Sequence, residues 1–446
     1  MMVGKKISRE TLLLSVREDD GDEGHVEELL GAVGSRSPSR PRHIYSRGSV
    51  DNQTVARANA WGLSAGDRVG SEADDGDDDE EEAGRSDQPL DGQQRDNACF
   101  TLDEDSDTDL ELEDERDQYD LTGQVRYREA CKRLGVIPAS CFLRTMQKSE
   151  VSMAHHGLGP QGAVALAVPL VTNTSIVKLN LRDNWMEGVG GAAMADMLKE
   201  NCYITELDLS ENRIGELGAK ALASMLLENT TLASLNLSQN CLDKHATRHL
   251  ATALSSNQHL QHLDMSHNRL GEAAGEILGA ALAENTGMKS FNLAWNCIRG
   301  KGVIALAKGL GANIFLRVVD LSYNGLGKEG AVAVGQGLKD NNTLEELNIS
   351  VNRIPPEGAI HLAVGLRVNK TIRILKMARN PVQSVGCFAV LKAIQGNPAS
   401  AVEYLDFSDI SVDQEFEDMF CSIKESLPDL QVKHGGKRRT LQKTKS

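Results

Sequence analysis

The stretch LDLSENRIGELGAKALASMLLENTTLASL, from Leu207 to Leu235, holds one complete structural unit and the start of the next. Leu207-Asp208-Leu209 alternates apolar and polar residues, as a short strand with one buried face does. Asn212 follows at a turn, where a side-chain amide can bond the backbone of adjoining coils. Ile214 is expected to point back into the core. Gly218 is expected to open a helix whose inward face is Leu222, Ala223 and Leu226. Asn229 is expected to end that helix in a left-handed conformation, which asparagine tolerates. Thr230-Thr231 then leads to Leu232 and the next strand.

The same frame extends in both directions. Asparagine recurs at 184, 212, 240, 268, 296, 324, 352 and 380, always 28 residues apart. A second series in the same phase runs through 173, 201, 229, 257, 285, 313, 341, 369 and 397. A fixed period of this length is the mark of a solenoid, in which no unit buries its apolar face alone and neighbours must stack. The expected fold is therefore an α/β horseshoe, with a parallel sheet on the concave side and helices on the convex side. The array should run over 151–432 with about ten units, giving an inner arc of roughly 45 Å at about 4.8 Å per strand.

The outer units are atypical, as capping units must be. Val151–His156 is in phase, with His156 in the asparagine slot. After Asn397 the register slips by two residues, Leu405-Asp406-Phe407 supplies a strand, and Ile410 stands where asparagine should be. Asp413 reads as a helix N-cap, and Leu430-Gln431-Val432 as a closing edge strand. Ahead of the array, residues 121–150 read as a helical cap, with short helices over Tyr127–Leu134 and Ser140–Met146.

Composition separates the array from its flanks. The formal net charge is −16, yet residues 72–120 alone hold 23 acidic and 3 basic residues. Residues 121–446 hold 31 acidic and 35 basic, so the folded part is nearly neutral. Residues 1–120 are expected to form a disordered arm, strongly acidic over 72–120, because such a segment cannot bury enough apolar surface to offset ordering. Within it, Ser106 and Thr108 each precede an acid by three residues (Asp109, Glu111), a pattern expected of acidophilic kinase sites. Residues 433–446 are expected to be a basic disordered tail, either a soluble end, a phosphate contact or a nuclear signal at Lys437-Arg438-Arg439. The opening residues lack a signal-peptide core, no membrane span is visible, and the eight cysteines show no paired or metal-ligand spacing. A reduced, cytoplasmic or nuclear protein is expected, monomeric and not secreted.

These 28-residue units resemble the ribonuclease-inhibitor-like subfamily of leucine-rich repeats, whose consensus places Asn or Cys at the Asn212 step. That subfamily includes Ran GTPase-activating protein and the repeat regions of NOD-like receptors. The pre-array segment YREACKRLGVIPASCFLRTM (Tyr127–Met146), continuing to HHGLGPQG (His155–Gly162), narrows the resemblance to one branch, over residues of about 120 to 432. The resemblance implies a non-catalytic interaction protein, with regulation of a small GTPase as the alternative; it supplies no cofactor and no catalytic residues. In the Ran activator the acidic segment follows the array, whereas here it precedes it. Ribonuclease inhibition ranks last, since that family alternates 28- and 29-residue units and is rich in cysteine.

Several motifs dissolve into the repeat. Gly157-Leu-Gly159-Pro-Gln-Gly162 and Gly325-Leu-Gly327-Lys-Glu-Gly330 both fit GxGxxG, but the same slots elsewhere read WMEGVG and RIGELG. They are turn and helix-start residues, and dinucleotide binding is not expected. Asp103, Asp105, Asp107 and Asp109 echo a calcium loop but lack the required glycine and terminal glutamate. His155-His156 has no third metal ligand in register. No cofactor and no metal are expected, nucleic acid is disfavoured by the near-neutral array, and the partner is expected to be a protein.

Two columns could carry that partner. The residue between the core positions of each strand faces the open side: Asn180, Asp208, Asn236, Asp264, Asn292, Asp320, Asn348 and Lys376. Alternating Asn and Asp spaces the carboxylates about 10 Å apart, which makes either a self-satisfied polar ladder or a striped binding surface. The slot before each turn asparagine reads Asp183, Glu211, Gln239, His267, Trp295, Tyr323, Val351 and Arg379, passing from acidic through aromatic to basic. Exposed Trp and Tyr at an interface centre are frequent hot spots; the alternative is that both rings lie flat against neighbouring turns. The candidate partner-binding residues are Asp264, His267, Trp295, Asp320 and Tyr323, with Trp185 as a secondary candidate.

Overall fold

The structure is a computed structural model that describes Asp120 and residues 122–437. Ser106, Thr108 and most of the acidic arm lie outside the described residues. Each 28-residue unit contributes a three-residue strand and a helix. Among the described residues, eleven strands form one parallel sheet in strict sequence order. They are β1 (Glu150–Ser152), β2 (Lys178–Asn180), β3 (Glu206–Asp208), β4 (Ser234–Asn236), β5 (His262–Asp264), β6 (Ser290–Asn292), β7 (Val318–Asp320), β8 (Glu346–Asn348), β9 (Ile374–Lys376), β10 (Tyr404–Phe407) and β11 (Gln431–His434). Register follows the sequence period: Leu207 lies beside Leu179 on one side and Leu235 on the other. The slip after Asn397 appears as a 30-residue step, with Tyr404 beside Ile374.

The middle residue of each of the first nine strands is buried, and its neighbours along the chain face outward in part, which leaves a mostly leucine column, with Val151, Phe291 and Val319, running through the stack. Helices cover the other side of that core. Within the unit at Leu207, Leu222 is fully buried and Leu226 nearly so. Two helices precede β1, Gln124–Leu134 and Ser140–Thr145; the first begins three residues earlier than the sequence suggested. There the ring of Tyr127 meets Phe142 edge-on at 4.9 Å, and its hydroxyl accepts the Ala139 N–H at 3.0 Å. Burial pushes the Tyr127 pKa up to about 12.

The two asparagine series are buried, and each does a different job. Asn212, fully buried, donates through Nδ2 to the carbonyls of Leu181, Leu209 and Ser210 at 2.9 to 3.0 Å. Its Oδ1 accepts the N–H of Asn184 at 2.9 Å. One side chain thus stitches a turn to the turn of the preceding unit, and the pattern repeats from Asn184 to Asn380. At the amino end His156 offers its backbone N–H to Asn184 Oδ1. The second series closes the helices: Asn229 Nδ2 donates to the Leu198 carbonyl of the preceding unit at 2.7 Å, while Oδ1 accepts the N–H groups of Thr231 and Leu232. Helix-terminal carbonyls that lack intrahelical partners are satisfied this way.

Three sequence expectations need correction. The helix after Asn212 runs over Gly215–Glu228, so Gly215 opens it and Gly218 does not. Gly218 is glycine because a Cβ there would lie 2.1 Å from Ile214 Cγ2. Asn229 is extended (φ −76°, ψ 128°), not left-handed, because its amide must reach the neighbouring helix end. The array does not stop at Val432: β11 continues to His434, and the Val412 N–H donates to the Gly436 carbonyl at 3.0 Å, so the first residues of the basic tail belong to the sheet edge.

Candidate interaction surface

The left-handed conformation sits one residue before the turn asparagine. His155, Asp183, Glu211, Gln239, His267, Trp295, Tyr323, Val351, Arg379 and Asp409 all have φ between 50° and 63°. For residues with a Cβ this costs roughly 1–2 kcal/mol each, most for β-branched Val351. Backbone bonding between units holds them there: Trp295 N–H donates to the Ser322 carbonyl at 2.9 Å, and Tyr323 N–H to that of Ser350 at 3.0 Å. The same geometry recurs in every unit, so these side chains form one file along the rim where the strands end.

At its centre three rings stack. His267 lies 5.1 Å from Trp295 at an interplanar angle of 14°, and Trp295 lies 3.6 Å from Tyr323 at 12°. The rings lie flat against one another, and Trp295 still leaves 47% of its surface exposed. On either side of the stack the file is ionic. His155 Nδ1 contacts Asp183 at 2.8 Å, and Arg182 pairs with Glu211 at 2.5 Å. The hydrogen bond from His155 holds the Asp183 carboxyl below its usual range. Beyond Val351, Arg379 bonds Asp409 at 2.7 Å; its pKa is raised by that bond and by Tyr323. The aromatic stack therefore adjoins a guanidinium. The sequence column ended at Arg379 because the two-residue slip moved Asp409 out of phase.

The strand column behaves differently. Asp264 Oδ1 accepts the Ser266 N–H at 2.8 Å, and Oδ2 accepts Asn292 Nδ2 at 2.7 Å. Asp320 repeats this with Ser322 (2.8 Å) and Asn348 (2.8 Å). Both carboxylates are half-buried and already hydrogen-bonded within the sheet. The structure thus brings His267, Trp295 and Tyr323 together as one surface stack, exposed at His267 and Trp295 and half-buried at Tyr323, and ties Asp264 and Asp320 into a separate ladder. Trp185 stands apart near the amino end, with the Arg213 guanidinium 4.5 Å over its ring.

In both glycine-rich motifs the glycine at the helix start has its own N–H engaged by the turn of the next unit. The N–H of Gly159 donates to the Asn184 carbonyl, and that of Gly327 to the Asn352 carbonyl. Among the described residues no group of three or more His, Cys, Asp or Glu could hold a metal ion, and no helix is long and apolar enough to cross a membrane.

This geometry, a parallel strand ladder closed by buried asparagines with helices behind it, defines a leucine-rich-repeat solenoid. The family described as Leucine Rich repeat matches residues 172–195, 200–223, 256–276, 284–307, 312–335 and 340–363. The chain has a leucine-rich-repeat fold and is similar, over a short stretch, to leucine-rich repeat-containing protein 74B. It is 53% identical to the human (Homo sapiens) protein of that name over 53 residues, 12% of this chain and 14% of the relative. With the mouse (Mus musculus) protein it is 46% identical over 50 residues, 11% of this chain and 13% of that one. The alignments thus span only a small part of either relative. Solved structures with similarity include an internalin from Listeria monocytogenes (TM-score 0.41, 12% identity, covering 71% of this chain and 90% of that one). Another is the leiomodin-1 actin-binding site 2 (TM-score 0.30, 19% identity, 33% of this chain and 86% of that one).

Proposed function

We propose that this protein is a monomeric, non-catalytic scaffold of the 74B type in the ribonuclease-inhibitor-like subfamily, and that it binds a protein partner through the rim centred on Trp295. The observation that carries this reading is the His267–Trp295–Tyr323 surface stack beside Arg379, with Trp295 exposed at its centre. Aromatic residues and arginine dominate interface energetics because they bury large, rigid area and desolvate cheaply. Stacking pre-orders these rings, so less side-chain entropy is lost on binding. The carboxylates of Asp264 and Asp320 border the site and set its acidic flank, with their hydrogen bonds kept inside the sheet.

The test is quantitative affinity purification comparing wild type with a Trp295→Ala/Tyr323→Ala double variant. A defined partner recovered with wild type and depleted at least tenfold with the variant is expected, a difference of about 1.4 kcal/mol or more. An identical partner set from a folded variant would remove the site from this rim. Acceleration of GTP hydrolysis by a small GTPase at micromolar protein would instead favour the GTPase-regulator reading.

A further inference from the structure

The loops that enter the strands carry a second surface, at the opposite end of the strands from the aromatic stack. There an open trough of about 670 Å³ runs along the middle and later units. Its lining contains four cations, Lys289, Arg317, Lys370 and Arg373, and one acid, Glu345. Arg317 is paired with Glu345, and Arg373 with Glu403 at 2.9 Å. Lys289 reaches only the neutral amide of Gln261, at 2.8 Å, and neither it nor Lys370 has a carboxylate partner among the described residues. Between these cations stand Ile314 and Phe315, 62% and 41% exposed. The one buried side-chain polar atom without a hydrogen-bond partner among the described residues, Thr371 Oγ1, belongs to the same lining.

We propose that this trough docks an acidic peptide segment of a partner protein, one that carries aliphatic or aromatic side chains among its carboxylates. Charge complementarity selects the sign, because after the Arg317–Glu345 and Arg373–Glu403 pairs the lining keeps two lysines, Lys289 and Lys370, without carboxylates. The apolar pair selects the kind of polyanion. An aliphatic Ile314 offers nothing to a phosphate, and Glu345 repels a chain that is charged at every residue, whereas a mixed acidic and apolar peptide satisfies both. The volume lies within the range of sites that hold a few side chains rather than a domain. A site of this kind is salt-sensitive, since the lysines are exposed and screened. Its residues differ from those of the rim site, so either surface can fail without the other.

The experiment is fluorescence anisotropy with the full chain and a labelled peptide of alternating Glu and Phe, against a peptide of alternating Glu and Ser. The Glu-Phe peptide is expected to bind at least fivefold more tightly. Lys289→Glu/Lys370→Glu is expected to weaken it at least tenfold, and Ile314→Ser at least threefold, while Trp295→Ala leaves it unchanged. The milder Lys289→Gln/Lys370→Gln pair should lose at least threefold and guards against misfolding of the reversal. Equal binding of the two peptides, or binding indifferent to the lysine variants, would overturn the proposal. So would tighter, lysine-dependent binding of polyuridylate or of phosphatidylserine vesicles, which would assign the trough to nucleic acid or membrane.

Discussion

Trp295 and Asn296 are consecutive residues with opposite histories. Asn296 is buried, and its amide bonds three carbonyls, those of Met265, Leu293 and Ala294. The equivalent position is asparagine in eight successive units. Trp295 is half-exposed in the same turn, and its column holds acids, bases, aromatics, an amide and a valine. One backbone geometry serves both files. Where the side chain must satisfy buried peptide groups, this array keeps to asparagine; where it faces solvent, the fold accepts almost anything, even at a left-handed φ. Stability is therefore written in the periodic column, and recognition has room to be written in the one beside it.

The largest effect should come from breaking the buried file. Asn212→Ala leaves the Asn184 N–H without its acceptor and removes one donor from each of the Leu181, Leu209 and Ser210 carbonyls, which keep Asn184 Nδ2, Asn240 Nδ2 and the Asp183 N–H respectively. With about 1–3 kcal/mol for the one buried N–H left unpaired and smaller losses at three carbonyls that keep a second donor, a loss of roughly 2–4 kcal/mol is expected in urea unfolding. Glu211→Ala, one residue earlier, should cost under about 0.5 kcal/mol, as exposed ion pairs do. Equal costs at the two positions would erase the distinction between the files. A smaller effect of opposite sign is expected at Val351, the β-branched residue held at φ 55°. Val351→Asn keeps the backbone bonds and relieves the strain, since asparagine visits this region with little penalty. A gain of about 1 kcal/mol is expected, read as a rise in the denaturation midpoint. An unchanged or lower midpoint would mean that the turn is not strained at valine.

How much was legible follows the same division. The 28-residue frame, the parallel strand order and the identity of the buried asparagines could be read directly, because burial imposes periodicity. Spacing does not place the helix start at Gly215 because two glycines, Gly215 and Gly218, compete in this turn, and only contact with Ile214 shows that Gly218 serves packing. Common helix ends suggest a left-handed backbone at Asn229, yet here the residue is extended and its amide serves the neighbouring unit. Of the candidate site, the column of His267, Trp295 and Tyr323 was readable from phase alone. Their stacking was not, since side-chain packing across units is invisible to spacing. Arg379–Asp409 was hidden by the two-residue slip. The trough of Lys289, Ile314 and Lys370 lies on loop positions whose composition changes at every repeat, so no period announces it.

A stability effect as small as that at Glu211 should come from the most prominent side chain. Trp295 contacts His267 and Tyr323 on its two faces, and such aromatic pairs contribute about 0.5–1.5 kcal/mol when well buried. Here water reaches nearly half of the indole, and removing it opens no cavity in the leucine column behind the sheet. Trp295→Ala should therefore shift urea unfolding by about 0.5 kcal/mol or less, below the gain at Val351 and far below the loss at Asn212. A two-ring contact between His267 and Tyr323 cannot re-form across the gap, because they belong to units two strands apart. A cost above about 1.5 kcal/mol would make the stack a structural brace and return the rim to the same category as the asparagines. A negligible cost leaves an ordered, exposed aromatic group whose retention the fold itself does not require, which is the condition a binding surface must meet.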